Sequence, residues 1–371
     1  MLSRRALLAS SLAAALPKVA AAQSVVLDGP NAIVGPPPAA LADVPNFPSL
    51  TAALKAAPAD NRPWRIMVGE IRSSEKVIVD RPNTWIRGLS PEKSQIVWDD
   101  YSGRTDPANA SVTLGTRRSA TITITAPDVR IDNLGVINSF DYPGQKAIPE
   151  GDAKKVHDTQ ALALAVSGNA DRVTLDNVSL DGWQDTLFID TGRALVRNSH
   201  IKGCVDFIFG AGTVALDHCR VTSRLMPNAP GQGYVCAPST LMRTPMGFVF
   251  FDCTLDHEGE PFPDASTALA RPWRPTTSFA DGRYGNPEAV GACLYLRCAF
   301  GDHIAGKGFD HMGYNARGGV KAFVEPEDAR FYISGCSGKA VATIPARFTA
   351  PAAMVAGLTP ETLLGSQNWH A

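Results

Sequence analysis

The strongest constraint in this chain is a recurring interval. Asp185 in G-W-Q-D-T-L-F-I-D and Asp206 in C-V-D-F-I-F-G stand 21 positions apart, and Asn177 in V-T-L-D-N-V and Asn198 in A-L-V-R-N-S repeat that interval. From Arg65 onward the sequence is a series of short β-branched runs such as W-R-I-M-V, K-V-I-V, T-W-I-R-G, A-T-I-T-I-T and V-R-I-D-N-L-G-V-I-N. Each ends in Asn, Asp or Gly, the pattern of short strands bounded by turns. The residues closing successive runs are Asn133, Asn177, Asn198, His218, Asp252, Arg297 and Gly335, with gaps of 44, 21, 20, 34, 45 and 38. Two gaps define a unit of about 20 residues. The others read as one unit plus an insertion, or as two units.

A solenoid of stacked parallel coils accounts for this pattern, because each coil needs a neighbour at a constant interval to bury its open face. A β-sandwich or barrel is the competing all-β arrangement. Sandwiches, however, turn through hairpins every ~8–12 residues. Here long insertions cluster instead, at Asp141–Asp158, Leu225–Thr244, Glu258–Ala289 and Lys307–Glu327. In a solenoid such insertions leave from one face and build a cleft there. The expectation is an all-β, single-stranded parallel β-helix with long loops forming a cleft on one side. The 32 glycines and 28 prolines suit many short turns and argue against a helical bundle.

Residues 1–22 read as a secretory signal peptide: Arg4 and Arg5, an apolar run from Ala6 to Leu16, and Ala20-Ala21-Ala22 at the cleavage site. The order S-R-R-A-L-L resembles a twin-arginine signal, with the ordinary secretory route as the open alternative. Either route makes the protein exported, secreted or periplasmic. The Pro- and Gly-rich segment 23–46 reads as an N-terminal extension lying on the surface. F-P-S-L-T-A-A-L-K-A-A-P, from Phe47 to Pro58, has helical spacing, with Pro48 in the first turn and Pro58 as the stop. It is the one helix expected before the C-terminus, and it would cap the open end of the solenoid. The β-helix domain then spans 47–371, with a helix beginning T-P-E-T-L-L in the tail, Thr359 to Ala371, outside the coils.

The seven cysteines form no short-spaced metal pattern. Cys219, Cys253, Cys298 and Cys336 each directly follow a strand-like run, in V-A-L-D-H-C, F-V-F-F-D-C, L-Y-L-R-C and F-Y-I-S-G-C. Recurrence at one phase of a repeat favours a buried column of small side chains. A bridge between neighbours such as Cys219 and Cys253 is the lesser alternative. The net charge of −1 points to no nucleic-acid surface.

If 21 residues make one coil, Asp185 and Asp206 lie on adjacent strands, ~4.8 Å apart. Two acids that close cannot both ionise cheaply, so their titrations couple and one pKa rises. The pair then supplies one protonated acid and one ionised nucleophile or base. The lesser alternative is that both are structural turn or ladder acids outside the core. Gln184 precedes Asp185, and Gln160 lies 24 positions before Gln184; carboxamide N–H groups are neutral donors suited to an oxyanion. A-L-A-R-P-W, from Ala268 to Trp273, adds a guanidinium and an indole two positions apart. Arg271 could hold an acid in a bidentate pair, and Trp273 offers an apolar face to a sugar ring. No G-x-S-x-G is present, and none of the seven histidines falls in these motifs.

At these residues the chain resembles the bacterial exported pectin methylesterases (pectinesterases). G-W-Q-D-T-L-F is similar to that family's G-Y-Q-D-T-L-Y, V-D-F-I-F-G matches its nucleophile motif, and A-R-P-W resembles G-R-P-W. D-T-Q-A-L-A-L resembles the family's Q-A-V-A-L segment, and R-P-W-R-P-T-T-S-F-A-D-G-R-Y a further bacterial stretch. The likeness runs from near Phe47 to Trp369 with the motifs in family order. It implies a right-handed parallel β-helix and hydrolysis of galacturonate methyl esters. In that scheme Asp206 is the nucleophile, Asp185 the general acid and then base, Gln184 and Gln160 the oxyanion hole, and Arg271 the partner of Asp206. Trp273 and Phe209 would line the sugar cleft, with Thr116, Arg283 and Met312 as further substrate contacts. The departures are Ala270 for Gly, which would crowd the cleft floor, Cys204 before V-D-F-I-F-G, and Trp183 and Phe188 for tyrosines.

The implied partner is methylated homogalacturonan (pectin), acted on by a monomer without cofactor, metal, nucleic acid or membrane. Two alternatives remain at this level. One is a pectin-depolymerising hydrolase or lyase on the same fold, needing carboxylates set for glycosidic cleavage or a calcium-binding acid cluster. The other is a non-catalytic β-helix that binds a glycan or acyl ester.

Overall fold

A computed structural model describes residues 29–226 and 233–365. The signal segment 1–22, residues 23–28 of the extension and residues 366–371 of the tail lie outside the described residues.

Three parallel sheets run the length of the molecule, with eleven, eight and seven strands. The chain visits them in rotation. Val173–Asp176 lies in the first sheet, Ser179–Asp181 in the second and Leu187–Ile189 in the third. Arg193–Arg197, His200–Gly203 and Val205–Gly210 repeat the circuit directly above. The pairings Val173↔Ala194, Ser179↔His200 and Leu187↔Ile208 are each one coil apart in sequence. This is the expected β-helix.

The corner between the first and second sheets explains the repeating Asn. Asn133, Asn177, Asn198, His218, Asp252 and Arg297 all have φ between 51 and 57°, and Gly335 has 64°. One left-handed residue turns the chain from one sheet into the next, and Asn and Asp tolerate that region better than most residues. The corner stays in the ladder. Asn177 N donates to Arg197 O at 3.1 Å, Asn198 N to Asp217 O at 3.0 Å, and His218 N to Phe251 O at 2.9 Å.

The next residue turns inward, and there the cysteines stack. Cys219 Sγ donates to Val196 O at 3.3 Å, Cys253 Sγ to Leu216 O and Cys298 Sγ to Phe250 O at 3.4 Å, and Cys336 Sγ to Tyr295 O at 3.3 Å. A small thiol fits the tight corner and meets a carbonyl of the preceding coil. All seven cysteines are free.

Phe248–Phe251 and Ala292–Leu296 of the first sheet are buried on both faces, so F-V-F-F reads as continuously apolar rather than alternating. Phe248 and Phe250 point into the solenoid core. Val249 and Phe251 point outward beneath the C-terminal segment, where Leu364 is buried. The helix Pro360–Leu364, with Thr359 in a capping box, lies outside the coils as expected.

Four expectations need correction. The helix near the N-terminus is shorter, Leu50–Lys55, because Ser49 caps it by accepting from Ala52 N; Pro48 precedes the cap, and Phe47 belongs to a strand. The segment 23–46 is not merely a surface extension. Ala32–Val34 is a fully buried strand between Asn46–Phe47 and Trp64–Val68, so the β-helix begins before residue 47. A second helix, Tyr142–Ala147, sits in the first insertion, capped by Asp141. Two insertions also carry strands of the third sheet, Gly233–Pro238 and Thr267–Ala270.

A thiol-reactive dye should label native protein at Cys336 at most, the one cysteine that is not buried. After unfolding in denaturant without reductant it should label all seven. Fewer equivalents in the unfolded chain would reveal disulfides and remove the thiol column.

Candidate active site

The cleft lies on the outer face of the third sheet. Its floor is a column of outward residues in register, Ala165↔Phe188↔Phe209↔Ala237. Phe188 and Phe209 stack with centroids 4.5 Å apart, and Trp273 meets Phe209 edge-on at 5.5 Å. Trp273 is held there because its backbone N donates to Pro238 O.

Asp185 and Asp206 are equivalent positions on successive coils. Each stands two residues before one member of the Leu187↔Ile208 pair, and Gln184 bridges to Val205. Asp185 N donates to Val205 O at 3.0 Å. Both aspartates take left-handed backbone, φ 66° and 50°. Asp206 also lies in a bulge, where Val205↔Tyr234 and Ile208↔Cys236 leave two residues facing one. Bulges re-aim side chains. Here Phe207 enters the core, while Asp206 lines the cleft. The bulge needs Gly203: a Cβ there would lie 2.2 Å from that of Phe207.

The two acids have different partners. Arg271 forks onto Asp206, Nε to Oδ1 at 2.8 Å and Nη2 to Oδ2 at 2.5 Å. Its guanidinium also lies 3.8 Å over the Tyr234 ring. Burial alone would pull the Arg271 pKa down, but the Asp206 carboxylate outweighs it and the net shift is upward. Asp185 has no such fork. Burial, then repulsion from Asp206, raise its pKa well above the ordinary carboxylate value, against a smaller opposing pull from Arg271. One acid is paired with a cation; the other favours its proton.

All ten residues singled out from the sequence border one cleft of about 1160 Å³: Asp206, Asp185, Gln184, Gln160, Arg271, Trp273, Phe209, Thr116, Arg283 and Met312. Thr116 opens the short turn Thr116–Ser119. Arg283 and Met312 come from two insertion hairpins, Thr276–Phe279 with Gly282–Gly285 and Met312–Asn315 with Lys321–Val324. Arg274 Nη1 donates to Tyr314 OH at 3.2 Å, and Arg317 pairs with Asp281, so the hairpins brace each other.

One expectation about the departures changes. The Ala270 methyl does not crowd the cleft floor, since the residue is fully buried in the solenoid core. Cys204 also lies behind the cleft, beside Tyr142 and Trp183; burial pushes its thiol pKa up to about 12. Sequence reasoning missed Thr159, whose hydroxyl donates to Gln184 Oε1 at 3.1 Å. It also missed Arg117, which lies over Phe188 at 5.5 Å and pairs with Asp190 at 2.8 Å. Position alone signalled them, each being adjacent to a named candidate.

Among the described residues, Asp217, His218 and Asp252 offer ligand atoms within 4.8 Å of one another. They sit at the opposite corner of the coil from the cleft-bearing third sheet, and Arg297 already forks onto Asp252.

The pectinesterase family model matches residues 40–279. Pectinesterase A of Dickeya chrysanthemi is 32% identical over 326 residues, covering 87% of this chain and 88% of its own. The solved structure of pectin methylesterase PemA from Erwinia chrysanthemi superposes with a TM-score of 0.86 at 33% identity, over 92% of this chain and 99% of that one. A pectin methylesterase in complex with a hexasaccharide superposes with the same TM-score at 32% identity and the same coverage. With more than half of its length inside the family model and its β-helix shared with these solved enzymes, the chain belongs to the pectinesterase family.

Proposed function

We propose that this protein hydrolyses the methyl esters of polygalacturonate (pectin), releasing methanol and free carboxylates, with Asp206 as nucleophile and Asp185 as acid and base. The observation that carries this reading is the register pairing of two aspartates, one forked by Arg271 and one with its pKa raised by burial. The hexasaccharide complex of the similar enzyme supports an oligosaccharide in this cleft.

In the proposed reaction the aromatic floor holds a uronate ring with its ester carbonyl between the two coils. An Asp206 oxygen attacks the carbonyl carbon, and the carbonyl π electrons move onto oxygen. The Gln184 and Gln160 amides receive that oxyanion as neutral donors. Collapse expels the methoxy group, which takes the Asp185 proton and leaves as methanol. Asp206 is then joined to the uronoyl group as an anhydride. Asp185, now a carboxylate, takes a proton from water as the water attacks the same carbon. The product departs as the uronic acid, which loses its proton to solvent to become the free carboxylate, and Asp206 and protonated Asp185 are restored.

Wild type should release methanol from methylated pectin without new reducing ends. Asp206→Asn should lower kcat by about 10³-fold or more, and Gln184→Ala by about 10²–10³-fold. Unchanged methanol release by Asp206→Asn would remove the mechanism; new reducing ends from wild type would favour depolymerisation.

Because Asp185 must start protonated, kcat should fall on the alkaline side as that proton is lost. The same shift costs stability. Below the ordinary value of 3.8 both folded and unfolded chains hold the proton, and no cost arises. As pH rises beyond it, the unfolded chain releases its proton first and the folded state loses relative stability. Asp185→Asn should therefore be inactive yet more stable than wild type at pH 7, on the order of 1 kcal/mol. That advantage should shrink as pH drops below 3.8 in paired melting curves. Equal stability at both pH values would show that the buried acid carries no such cost.

A further inference from the structure

We propose that Thr159 is a positioning residue for Gln184, holding its carboxamide so that the N–H end meets the oxyanion. This rests on reading Gln184 as an oxyanion donor. A carboxamide has one accepting and one donating end. The wrong end in the hole would set a carbonyl oxygen against the developing negative charge.

The two glutamines are not held alike. Thr159 is buried, and its Oγ1 lies 3.1 Å from Gln184 Oε1, one coil away. With the Oε1 end fastened to the wall, the Nε2 hydrogens are left for the cleft that Gln184 borders. Hydroxyl donation to Oε1 also polarises the amide and strengthens its N–H groups as donors. Gln160 has no such anchor: its Oε1 is buried with no hydrogen-bond partner. Gln184 is thus set before substrate arrives, whereas Gln160 is oriented by the substrate itself.

Thr159 is held firmly enough for this task. Gly103 N donates to Asp158 O at 2.9 Å, and Ser102 N to Gln160 O at 2.8 Å, clamping the backbone on both sides. Asp158 takes left-handed backbone, φ 53°. The loop carrying Gly103 can approach only because that residue has no side chain, as a Cβ would lie 2.0 Å from His157 O.

The test compares kcat, KM and melting temperature for Thr159→Val, Thr159→Ser, Gln184→Ala and the Thr159→Val/Gln184→Ala double variant, by methanol release from methylated pectin. Thr159→Val should lower kcat about tenfold, the rate equivalent of one hydrogen bond, with KM little changed. Thr159→Ser, which keeps the hydroxyl, should restore most of the rate. In the Gln184→Ala background Thr159→Val should cause no further loss. If Val disturbs folding, Thr159→Ala carries the same comparison.

A kcat for Thr159→Val equal to wild type overturns the inference, as does an undiminished loss in the Gln184→Ala background. If Gln184→Ala itself keeps the wild-type kcat, the oxyanion reading of Gln184 fails, and the positioning role falls with it. A drop in Gln184→Ala without one in Thr159→Val sinks only the role given to Thr159.

Discussion

Everything in this molecule depends on the in-register backbone ladder between successive coils. Parallel strands hold their neighbours at a fixed offset, so any residue one coil further on lies directly above its counterpart. The ladder survives the corner because a single left-handed residue turns the chain into the next sheet while its N–H still donates to the next coil, as Asn198 does to Asp217. Asn is affordable there; a β-branched residue would not be. The inward Cys at the following position completes the corner by meeting a carbonyl of the coil below.

The same ladder sets the electrostatics of the cleft. With strands ~4.8 Å apart, two charged carboxylates at equivalent positions repel by on the order of 3–4 kcal/mol at an effective dielectric of about 20. That exceeds the worth of an ordinary hydrogen bond, about 1 kcal/mol, so the site cannot hold two bare anions. It resolves the conflict by unequal partners. Arg271 spends both arms on Asp206, and Asp185, buried without a fork, favours its proton. The bulge at Asp206 turns Phe207 inward and leaves the carboxylate facing the cleft, so the backbone irregularity falls on the residue proposed as nucleophile.

Much of this was legible in the sequence because a solenoid writes its period into the chain. The 21-residue interval placed Asp185 one coil from Asp206, and the motif residues all border one cleft. What escaped depended on partners distant in sequence or on side-chain direction. Ala32–Val34 is too short to announce a strand, and its burial comes from Asn46–Phe47 and Trp64–Val68. Tyr142–Ala147 contains Pro and Gly, so its helix relies on the Asp141 cap rather than propensity. The Ala270 methyl points into the core although Arg271 beside it borders the cleft, because successive strand residues point to opposite sides, a direction that the Gly-to-Ala departure alone does not reveal. Thr159 carries no signal of its own in the sequence, since its partner Gln184 lies 25 residues away.

The choice of neutral amides for the proposed oxyanion hole follows from the acid pair. A Lys or Arg aimed at the ester carbonyl would stabilise the oxyanion more strongly. It would also stand beside Asp185 and favour the ionised form, pulling down a pKa that burial has raised. The proposed reaction would then lack its proton donor for methanol. Arg271 can be tolerated because its charge is already answered by Asp206 through two hydrogen bonds. A carboxamide delivers N–H groups with no net charge, so it can serve the oxyanion while leaving the Asp185 proton in place. Its weakness is that either end can face the substrate. A site that keeps one acid protonated by excluding cations must therefore orient its neutral donors by other means, and a buried hydroxyl on the neighbouring coil is suited to that task.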